Sequence, residues 1–305
     1  MYDLIIIGGG PAGMTAGLYA LRNNKSVFII EKNGFGGQIT HSPKVENYPG
    51  SLSLSGNEFA DKFLEQILAQ GAQVELENVT ELIDCGDYKR ILTEEGGEYE
   101  ARTVVIATGV KHRMLGIEGE YELVGNGISF CAVCDGEFYR DQTVVVAGGG
   151  NSALQEAVLL SENCREVIVV QDMDSFTGEE KLRELLFAKK NVRSLTGTVI
   201  ESFITKNGEL SGLVVKNKHS GDRDTLSCDG LFVAIGLIPE NEIFAGLVPL
   251  NQYGYIDSGE DCETGVPGIF CAGDCRSKRV RQLTTAAADG SVAALAACRY
   301  LDGGF

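Results

Sequence analysis

Cys131 and Cys134 are separated by two residues, a spacing that lets their sulfurs close a small ring. Disulfides of this kind open and re-form readily by thiol–disulfide exchange. Asp135 follows directly, and its carboxyl could deliver a proton to a departing thiolate. An Asp beside a turn can also act only as a cap. We interpret Cys131–Asp135 as a redox-active cysteine pair with a neighbouring acid.

A zinc site is the alternative for this pair, because Cys-x-x-Cys supplies half of a tetrahedral ligand set. The other half would be Cys271 and Cys275, but Cys271 falls in a predicted strand, Gly268–Ala272, and the spacing of a zinc knuckle is absent. The three histidines are too scattered to form a cluster. We therefore predict no metal. Cys271 and Cys275 are interpreted as buried structural thiols, with an auxiliary thiol pair as the alternative.

Glycine-rich turns occur twice, each between an apolar run and a helical stretch. Gly8–Gly13 follows the run Tyr2–Ile7, and Gly148–Ala153 follows the run Thr143–Ala147. Each continues through a helix into a second apolar run, as in a strand–turn–helix–strand unit that binds a dinucleotide. The glycines allow a close approach to a pyrophosphate, and the helix N-terminus supplies amide donors. Glu31 ends the second strand of the first unit, where it could accept hydrogen bonds from a ribose.

The order of these units predicts the fold class. We expect an α/β protein with two Rossmann-like, three-layer nucleotide-binding domains, the second inserted into the first. The first domain would comprise residues 1–113 and 238–305, and the second residues 114–237. Hydrophobic periodicity predicts a helix at Glu58–Gln70, and the alanine-rich segment Thr285–Leu301 is predicted to be another. Short apolar runs predict buried strands at Thr103–Ile106 and Leu231–Ile235.

The composition narrows the classes of function. The 305 residues carry 26 Lys and Arg against 43 Asp and Glu, a formal charge of −17. Such a charge repels nucleic acid and anionic membranes, which we exclude as partners. No apolar run approaches the ~20 residues that span a bilayer, and no basic segment typical of a signal peptide opens the chain. Nine cysteines at scattered spacings suit a reducing compartment. We expect a cytoplasmic protein.

The chain resembles the low-molecular-weight thioredoxin reductase family over essentially its full length. The most diagnostic feature is Cys-x-x-Cys-Asp just before the second glycine turn. The other matching segments are Gly8–Gly13, Gly36-Gly37-Gln38, Glu46–Gly50, Ala107-Thr108-Gly109, Gly148–Ala153, Gly273-Asp274 and Arg281-Gln282.

The resemblance implies an FAD-dependent enzyme, commonly a homodimer, that reduces thioredoxin or a thioredoxin-like protein. Residues 1–113 and 238–305 would bind FAD, and the inserted domain would carry the cysteine pair. Cys134 would face the flavin, Cys131 would attack the partner disulfide, and Asp135 would be the acid and base. The implied FAD-binding residues are Gly8, Gly10, Pro11, Ala12, Gly13, Glu31, Lys32, Gly37, Gln38, Asn47, Thr108, Gly109, Asp274, Arg281, Gln282 and Leu283.

The second dinucleotide site departs from the family. There the strand after the second turn normally ends in His-Arg-Arg, with another Arg four residues later, and these cations bind the 2′-phosphate of NADPH. Here the stretch Gln171–Thr177 carries no cation and contains Asp172 and Asp174. Each lost charged hydrogen bond would cost ~1.5–3 kcal/mol, so NADPH is not the expected donor. A remaining dinucleotide site would use Gly148, Gly150, Asn151, Ser152, Ala153, Gln171 and Asp172.

Three electron routes remain open. NADH is slightly preferred, because Gln171 or Asp172 could accept a hydrogen bond from a free 2′-hydroxyl. A ferredoxin-dependent flavin thioredoxin reductase is the next alternative, and a flavin dithiol oxidase the third. The basic run Arg276, Lys278, Arg279 and Arg281 could dock an acidic ferredoxin, although a solvated loop also explains it. A non-catalytic FAD-binding redox sensor is the remaining class, which the trio Cys131, Cys134 and Asp135 disfavours.

Overall fold

Two compact units make up the chain in a computed structural model, which describes residues 1–303. One unit contains Met1–Lys111 and the chain from Ile238 onward, and the other is the insertion His112–Leu237. The two connections between them lie in short strands, Val110–His112 and Leu237–Pro239, which pair with each other. The predicted α/β class, with one Rossmann-like unit inserted into another, is confirmed.

The helices and strands have the following bounds. The α-helices are α1 Pro11–Arg22, α2 Gly56–Ala69, α3 Glu120–Leu123, α4 Ala132–Asp135, α5 Asn151–Leu160, α6 Glu180–Phe187 and α7 Leu283–Leu301. The strands are β1 Tyr2–Ile7, β2 Val27–Glu31, β3 Gln73–Leu76, β4 Val79–Asp84, β5 Lys89–Thr93, β6 Glu98–Ile106, β7 Val110–His112, β8 Ile128–Ser129, β9 Thr143–Ala147, β10 Glu166–Val170, β11 Val192–Leu195, β12 Thr198–Lys206, β13 Glu209–Asn217, β14 Arg223–Ser227, β15 Gly230–Val233, β16 Leu237–Pro239 and β17 Ile269–Cys271.

The first unit has three layers around a parallel sheet. β3, β2, β1 and β6 lie side by side, and β17 pairs with the other edge of β6. Leu4 and Ile6 pack toward α1 and α7, whereas Ile5 and Ile7 pack toward the β4–β5 hairpin. Since successive side chains of a strand point to opposite faces, this uninterrupted apolar run is buried on both sides.

The second unit repeats this plan. Its parallel sheet has the order β11, β10, β9, β15 and β8, and the antiparallel strands β12, β13 and β14 form a separate layer. One core cluster contains residues of α4, α5 and α6, and another contains residues of the antiparallel layer. The repeat places the second glycine turn and the cysteine pair on elements of one unit.

Local sequence explains the ends of the longer helices. Ser55 caps α2 by accepting a hydrogen bond from Glu58 N, and the Glu58 side chain accepts one from Ser55 N. α7 begins at Leu283, two residues before the predicted start, because Thr285 Oγ1 accepts a hydrogen bond from Gln282 N at 3.1 Å. Within residues 1–303, no helix combines the length and the apolar character that a membrane span requires.

Candidate active site

A disulfide joins Cys131 and Cys134, with 5.3 Å between their Cα atoms. Cys131 is the N-cap of the single-turn helix α4, which is separated from β8 by Phe130 and Cys131. β8 is anchored by parallel pairing with β15. Both cysteines are half-buried, and Val133 between them is 63% exposed. The predicted cysteine pair is therefore formed, and it lies at a surface that another molecule can reach.

Asp135 is tied to the cysteines through Ser129. Ser129 Oγ donates to Asp135 Oδ2 at 2.6 Å and accepts from Cys131 N at 3.1 Å. Asp135 Oδ1 is buried and has no hydrogen-bond partner among residues 1–303. Burial raises the pKa of Asp135, and the hydrogen bond from Ser129 opposes that rise. This carboxyl can therefore hold a proton at a higher pH than an exposed Asp.

Glu156 is a second acid near the pair, which sequence reasoning missed. It lies on α5, and its carboxyl accepts a hydrogen bond from the backbone N–H of Ala132. Oε2 is buried, with no hydrogen-bond partner among the described residues. Burial raises the pKa of Glu156 to about 7, and the bond from Ala132 opposes the rise. The signal in the sequence is weak, since a Glu in mid-helix is most often exposed.

The first glycine turn has the geometry of a phosphate-binding turn. Gly8 has a φ of 113°, and a Cβ there would lie 2.3 Å from the carbonyl oxygen of Ala107. A Cβ on Gly13 would lie 1.9 Å from Gly8 O, which accounts for the glycine where α1 crosses β1. Gly10 is the N-cap of α1 and faces open space, and Pro11 and Ala12 are the first residues of the helix. The first amides of α1 are therefore accessible to an anion.

A cavity of about 560 Å³ lies in the same unit. Gly8 and Thr108, at the carboxyl ends of β1 and β6, are among its lining residues. So is Glu31, whose Oε2 accepts from Gly9 N at 2.6 Å and whose Oε1 accepts from Asn33 N at 3.0 Å. A carboxylate has about four lone-pair sites, so Glu31 retains capacity for ribose hydroxyls. The cavity lies where open α/β sheets bind nucleotides.

Asp274 is packed against the start of α1. Gly273 has a φ of 81°, and a Cβ there would lie 2.8 Å from the Cβ of Ala12. Asp274 Oδ1 is buried and has no hydrogen-bond partner in the described chain. Burial raises the pKa of Asp274, which Lys278 and Arg281 oppose. An unsatisfied buried acceptor beside the phosphate turn fits a ligand that carries hydroxyl groups.

The basic run beside Asp274 is partly internal, which corrects its interpretation as a solvated loop and also weakens the alternative of a docking surface. Arg276 is 8% exposed and donates to Asp289 from Nε and Nη2, both at 2.9 Å. Lys278 Nζ also donates to Asp289, at 2.8 Å. Arg281 lies 4.4 Å from the centroid of the Tyr255 ring. Arg279 remains exposed. The carboxylate of Asp289 uses two of these cations to hold the loop that carries Asp274.

The other residues implied for FAD binding occupy varied settings. A Cβ on Gly37 would lie 3.4 Å from Gly10 Cα, so that segment borders the turn. Gln282 and Leu283 begin α7, and Gly109 has a φ of 68°. Lys32 forms an ion pair with Glu240. Gln38 and Asn47 are exposed.

Asn241 is a further residue that the sequence did not indicate. It is wholly buried and accepts from Thr108 Oγ1 at 3.1 Å. Its Nδ2 donates to Gly254 O at 2.9 Å and Cys275 O at 2.8 Å. Asn241 thus links the Thr108 loop to the loop that carries Asp274. A single Asn in a loop carries no sequence signal for such a role.

The second glycine turn is built like the first. Gly148 has a φ of 133°, and a Cβ there would lie 2.5 Å from Ala234 O. Gly148 N donates to Val170 O at 2.9 Å, as Gly8 N donates to Ile30 O at 2.8 Å. Gly150 is the N-cap of α5, Asn151 and Ser152 are its first residues, and Ala153 is buried. The backbone geometry for a second dinucleotide is therefore present in this unit.

The residues that follow β10, beside the second turn, differ from those beside the first. Gln171 lies over the turn, because a Cβ on Gly149 would be 2.3 Å from Gln171 Nε2. Asp172 and Asp174 follow, both exposed. The β13–β14 turn brings two basic residues here that sequence spacing could not locate: Lys218 Nζ donates to Asp172 O at 2.9 Å, and His219 Nε2 is hydrogen-bonded to Asp174 Oδ1.

Cys271 and Cys275 are wholly buried. Burial raises the pKa of both thiols, and the Cys275 thiol donates to Ala272 O at 3.3 Å. A buried thiol held neutral is a poor nucleophile, which favours the structural interpretation over an auxiliary redox pair. In the part of the chain that the structure describes, no three His, Cys, Asp or Glu side chains are placed to hold a metal.

Known proteins resemble the whole chain. A family model described as pyridine nucleotide-disulphide oxidoreductase matches residues 2–290. A protein described as "34.2 kDa protein in rubredoxin operon" from Clostridium pasteurianum is 39% identical over 301 residues, 99% of this chain and 97% of that protein. A thioredoxin reductase from Bacillus subtilis is 38% identical over 302 residues, 99% of this chain and 95% of that protein.

A solved structure agrees with these relatives. The thioredoxin reductase from Streptococcus pyogenes superimposes with a TM-score of 0.95 at 39% identity, covering 99% of both chains. The chain therefore belongs to the pyridine nucleotide-disulphide oxidoreductase family and, within it, to the low-molecular-weight thioredoxin reductases, which are flavoprotein oxidoreductases.

Proposed function

We propose that the protein reduces the disulfide of thioredoxin or a thioredoxin-like protein, using electrons that reach Cys131 and Cys134 through FAD. The observation that carries this proposal is the disulfide between Cys131 and Cys134 with Asp135 tied beside it. Relatives named thioredoxin reductases support the choice of partner. We propose a homodimer in solution, as the family resemblance implies.

FAD fits the first unit. The amides at the start of α1 suit its pyrophosphate, and the Glu31 carboxylate retains lone pairs for the ribose. The buried Asp274 Oδ1 accepts no hydrogen bond from the described residues, so it can accept one from a hydroxyl group of FAD. When bound, FAD supplies two-electron transfer between a donor and the cysteine pair. Gly37, Arg281, Gln282 and Leu283 are proposed to complete the site.

The two cysteines have distinct roles in the proposed exchange. Once reduced, Cys131 attacks one sulfur of the partner disulfide, which forms a mixed disulfide and releases the other partner sulfur as a thiolate. Cys134 then attacks Cys131 Sγ, restores the disulfide and frees the second partner sulfur. Asp135 is proposed to protonate a departing thiolate, because burial keeps its carboxyl protonated to a higher pH.

NADH is the proposed donor. The second glycine turn keeps the geometry of the first, which supports binding of a dinucleotide. Gln171 can accept a hydrogen bond from a free 2′-hydroxyl, whereas Asp172 and Asp174 would repel a 2′-phosphate. Lys218 and His219 offset part of that repulsion, but their side chains are already hydrogen-bonded to Asp172 O and Asp174 Oδ1.

A reduced iron–sulfur protein such as ferredoxin is the second candidate donor. The exposed carboxylates of Asp172 and Asp174 also oppose the phosphates of any pyridine nucleotide. The relative from Clostridium pasteurianum is described by its place in a rubredoxin operon. The buried positions of Arg276 and Lys278 remove half of the basic surface on which such a partner could dock.

Anaerobic reduction tests donor and function together. The oxidised holoenzyme is mixed in turn with NADH, NADPH and reduced ferredoxin, and the loss of flavin absorbance is followed. We expect rapid loss with NADH and slow loss with NADPH. Reduction by ferredoxin alone would replace NADH with the second candidate. A Cys131→Ser variant should keep flavin reduction and lose thioredoxin reduction; unchanged thioredoxin reduction would contradict the proposed role of the pair.

A further inference from the structure

Glu156 lies directly behind the cysteine pair without belonging to the exchange described above. Its carboxyl accepts a hydrogen bond from the N–H of Ala132, the residue that follows Cys131. The carboxyl is therefore within one peptide unit of a reacting residue. Glu156 itself is held by α5, whose neighbours Leu154, Ala157 and Leu160 belong to the core of this unit. A change of charge at this fixed position acts on the sulfurs at short range.

The environment of Glu156 leaves its charge poorly compensated. Oε2 is buried, and no donor among residues 1–303 satisfies it. An ionised carboxylate in such a place loses its hydration and is disfavoured, whereas a protonated carboxyl is neutral. Accordingly, the pKa of Glu156 is raised to about 7, so both forms are populated near neutral pH.

Other ionisable groups occupy the elements around α5. α4 carries Asp135 beside Cys131 and Cys134, and β9 carries none. On β10, Glu166 is engaged by Arg193 at 2.8 Å. α6 carries Glu180, Lys181, Arg183 and Glu184. Burial, rather than a partner charge from these elements, is the first cause of the pKa shift of Glu156.

We propose that Glu156 is a positioning residue that couples reduction of the Cys131–Cys134 disulfide to uptake of a proton. The inference rests on the proposed function only in requiring this disulfide to be reduced. Two electrons from the reduced flavin break the S–S bond and leave two thiolates. One proton from solvent converts one sulfur to a thiol, and a second proton binds the Glu156 carboxylate. The carboxyl beside Ala132 is then neutral and does not repel the remaining thiolate.

The effect of Glu156 on reduction of the disulfide is absent at low pH and present at high pH. Below the pKa of Glu156 the carboxyl is already neutral, so reduction meets no extra repulsion. Above it the carboxylate opposes the new thiolate and makes the pair harder to reduce. Glu156→Gln keeps an oxygen acceptor for Ala132 N but cannot ionise. The variant should therefore resemble the unmodified protein at pH 6 and reduce more readily at pH 8.

The experiment measures the redox equilibrium of the pair in the full-length holoenzyme. The protein is equilibrated anaerobically with mixtures of oxidised and reduced dithiothreitol at pH 6 and pH 8. Thiols are then alkylated, and the peptide containing Cys131 and Cys134 is quantified by mass spectrometry. We expect the equilibrium constants of Glu156→Gln and the unmodified protein to agree at pH 6. At pH 8 we expect the variant to be about tenfold more reducible, which for this two-electron couple is about 30 mV.

The matched control is Glu180→Gln, which removes one exposed carboxylate from the neighbouring helix α6. This variant should follow the unmodified protein at both pH values. An equal ratio of constants at pH 6 and pH 8 for Glu156→Gln, or the same shift in Glu180→Gln, overturns the inference. Failure of the Cys131–Cys134 disulfide to reduce in any variant would instead overturn the proposed function.

A second measurement does not require the variant to fold. Infrared difference spectra of the unmodified protein are recorded on reduction at pH 7.5. We expect a gain of protonated-carboxyl signal that moves when glutamate is labelled with ¹³C. An absence of any such glutamate signal in the unmodified protein overturns the inference.

Discussion

Ser129 Oγ donates a 2.6 Å hydrogen bond to Asp135 Oδ2 and accepts one from the backbone N–H of Cys131 at 3.1 Å. One hydroxyl thereby fixes an acid relative to a reactive cysteine. Ser129 is 5% exposed at the end of β8, so the rigid sheet, rather than a loop, holds this arrangement. Burial raises the pKa of Asp135, and the hydrogen bond from Ser129 opposes that rise.

Replacing Ser129 should change the pH dependence of thioredoxin reduction. In Ser129→Ala the Asp135 carboxyl loses a donor to its ionised form, so its pKa rises further. We expect the alkaline limb of the pH–rate profile to move to higher pH, and kcat to fall about tenfold through lost orientation. Steady-state rates from pH 5 to 9 measure both effects.

Two variants control this prediction. Asp135→Asn cannot titrate, so the limb that reports Asp135 should vanish. Ser227→Ala removes an exposed hydroxyl from β14 and should leave the profile unchanged. A Ser129→Ala profile that falls in height without moving along the pH axis would show that Ser129 does not act on the ionisation of Asp135.

Glu156→Gln should stabilise the protein at alkaline pH. Between its ordinary value of 4.5 and about 7, the native protein holds a proton on Glu156 that the unfolded chain has released. Stability therefore falls as pH rises through this window, and the full penalty applies above it. We expect the variant to gain on the order of 2 kcal/mol at pH 8 and nothing at pH 4.

Urea unfolding of the two proteins at both pH values measures the gain. Glu162→Gln removes an exposed carboxylate just beyond α5 and serves as the control. A gain of the same size at pH 4 would mean that packing of the amide, rather than removal of a buried charge, stabilises the variant.

The contrast between Asp135 and Glu156 shows how far the sequence predicts this site. The cysteine pair, Asp135 and the two glycine turns are contiguous motifs, so their order along the chain indicates their chemistry. Glu156 bonds to the backbone of Ala132, and Asn241 bonds to Thr108. Each of these pairs is far apart in the sequence, so residue spacing does not indicate the contact. The burial of Arg276 and Lys278 could not be predicted for the same reason. Both side chains donate hydrogen bonds to Asp289, which is distant from them in the sequence.

The fold was predicted more completely than the site. Runs such as Tyr2–Ile7 are largely apolar and buried on both faces of the sheet. A near-continuous apolar run is the usual sequence signature of a central parallel strand, so these strands could be predicted. The strands of the antiparallel layer were not predicted, because β12 and β14 are largely half-exposed or exposed and carry many polar residues. The β13–β14 turn brings Lys218 and His219 to the second dinucleotide site, which explains why these residues were missed.

Asp274→Ala should weaken FAD binding. Asp274 Oδ1 is buried, lies 4.0 Å from Lys278 Nζ and accepts no hydrogen bond from the described residues, and its neighbour Gly273 packs against Ala12 at the start of α1. A hydrogen bond to a charged group contributes ~1.5–3 kcal/mol, so we expect FAD affinity to fall at least tenfold. Fluorescence of flavin released on dilution measures the loss. Asp257→Ala, an exposed carboxylate in the same unit, should retain FAD; equal release from both variants would contradict a direct role for Asp274.

Restoring the missing cations should shift the donor preference toward NADPH. The combined variant Asp172→Arg, Met173→Arg and Thr177→Arg removes one acid and places three guanidinium groups around the end of β10. Arg binds phosphate through paired donors, and one charged hydrogen bond is worth ~1.5–3 kcal/mol. We expect kcat/KM with NADPH to rise at least tenfold relative to NADH, measured by stopped-flow reduction of the flavin.

Ser175→Arg is the control, because it adds a cation to the same exposed loop at a position that does not match the family pattern. It should raise NADPH use far less than the combined variant, since a single exposed charge is screened by solvent. If the combined variant reduces its flavin with neither nucleotide, the second turn does not bind a dinucleotide. The electrons would then have to arrive from a protein donor, and the turn from Gly148 to Ala153 would serve packing alone.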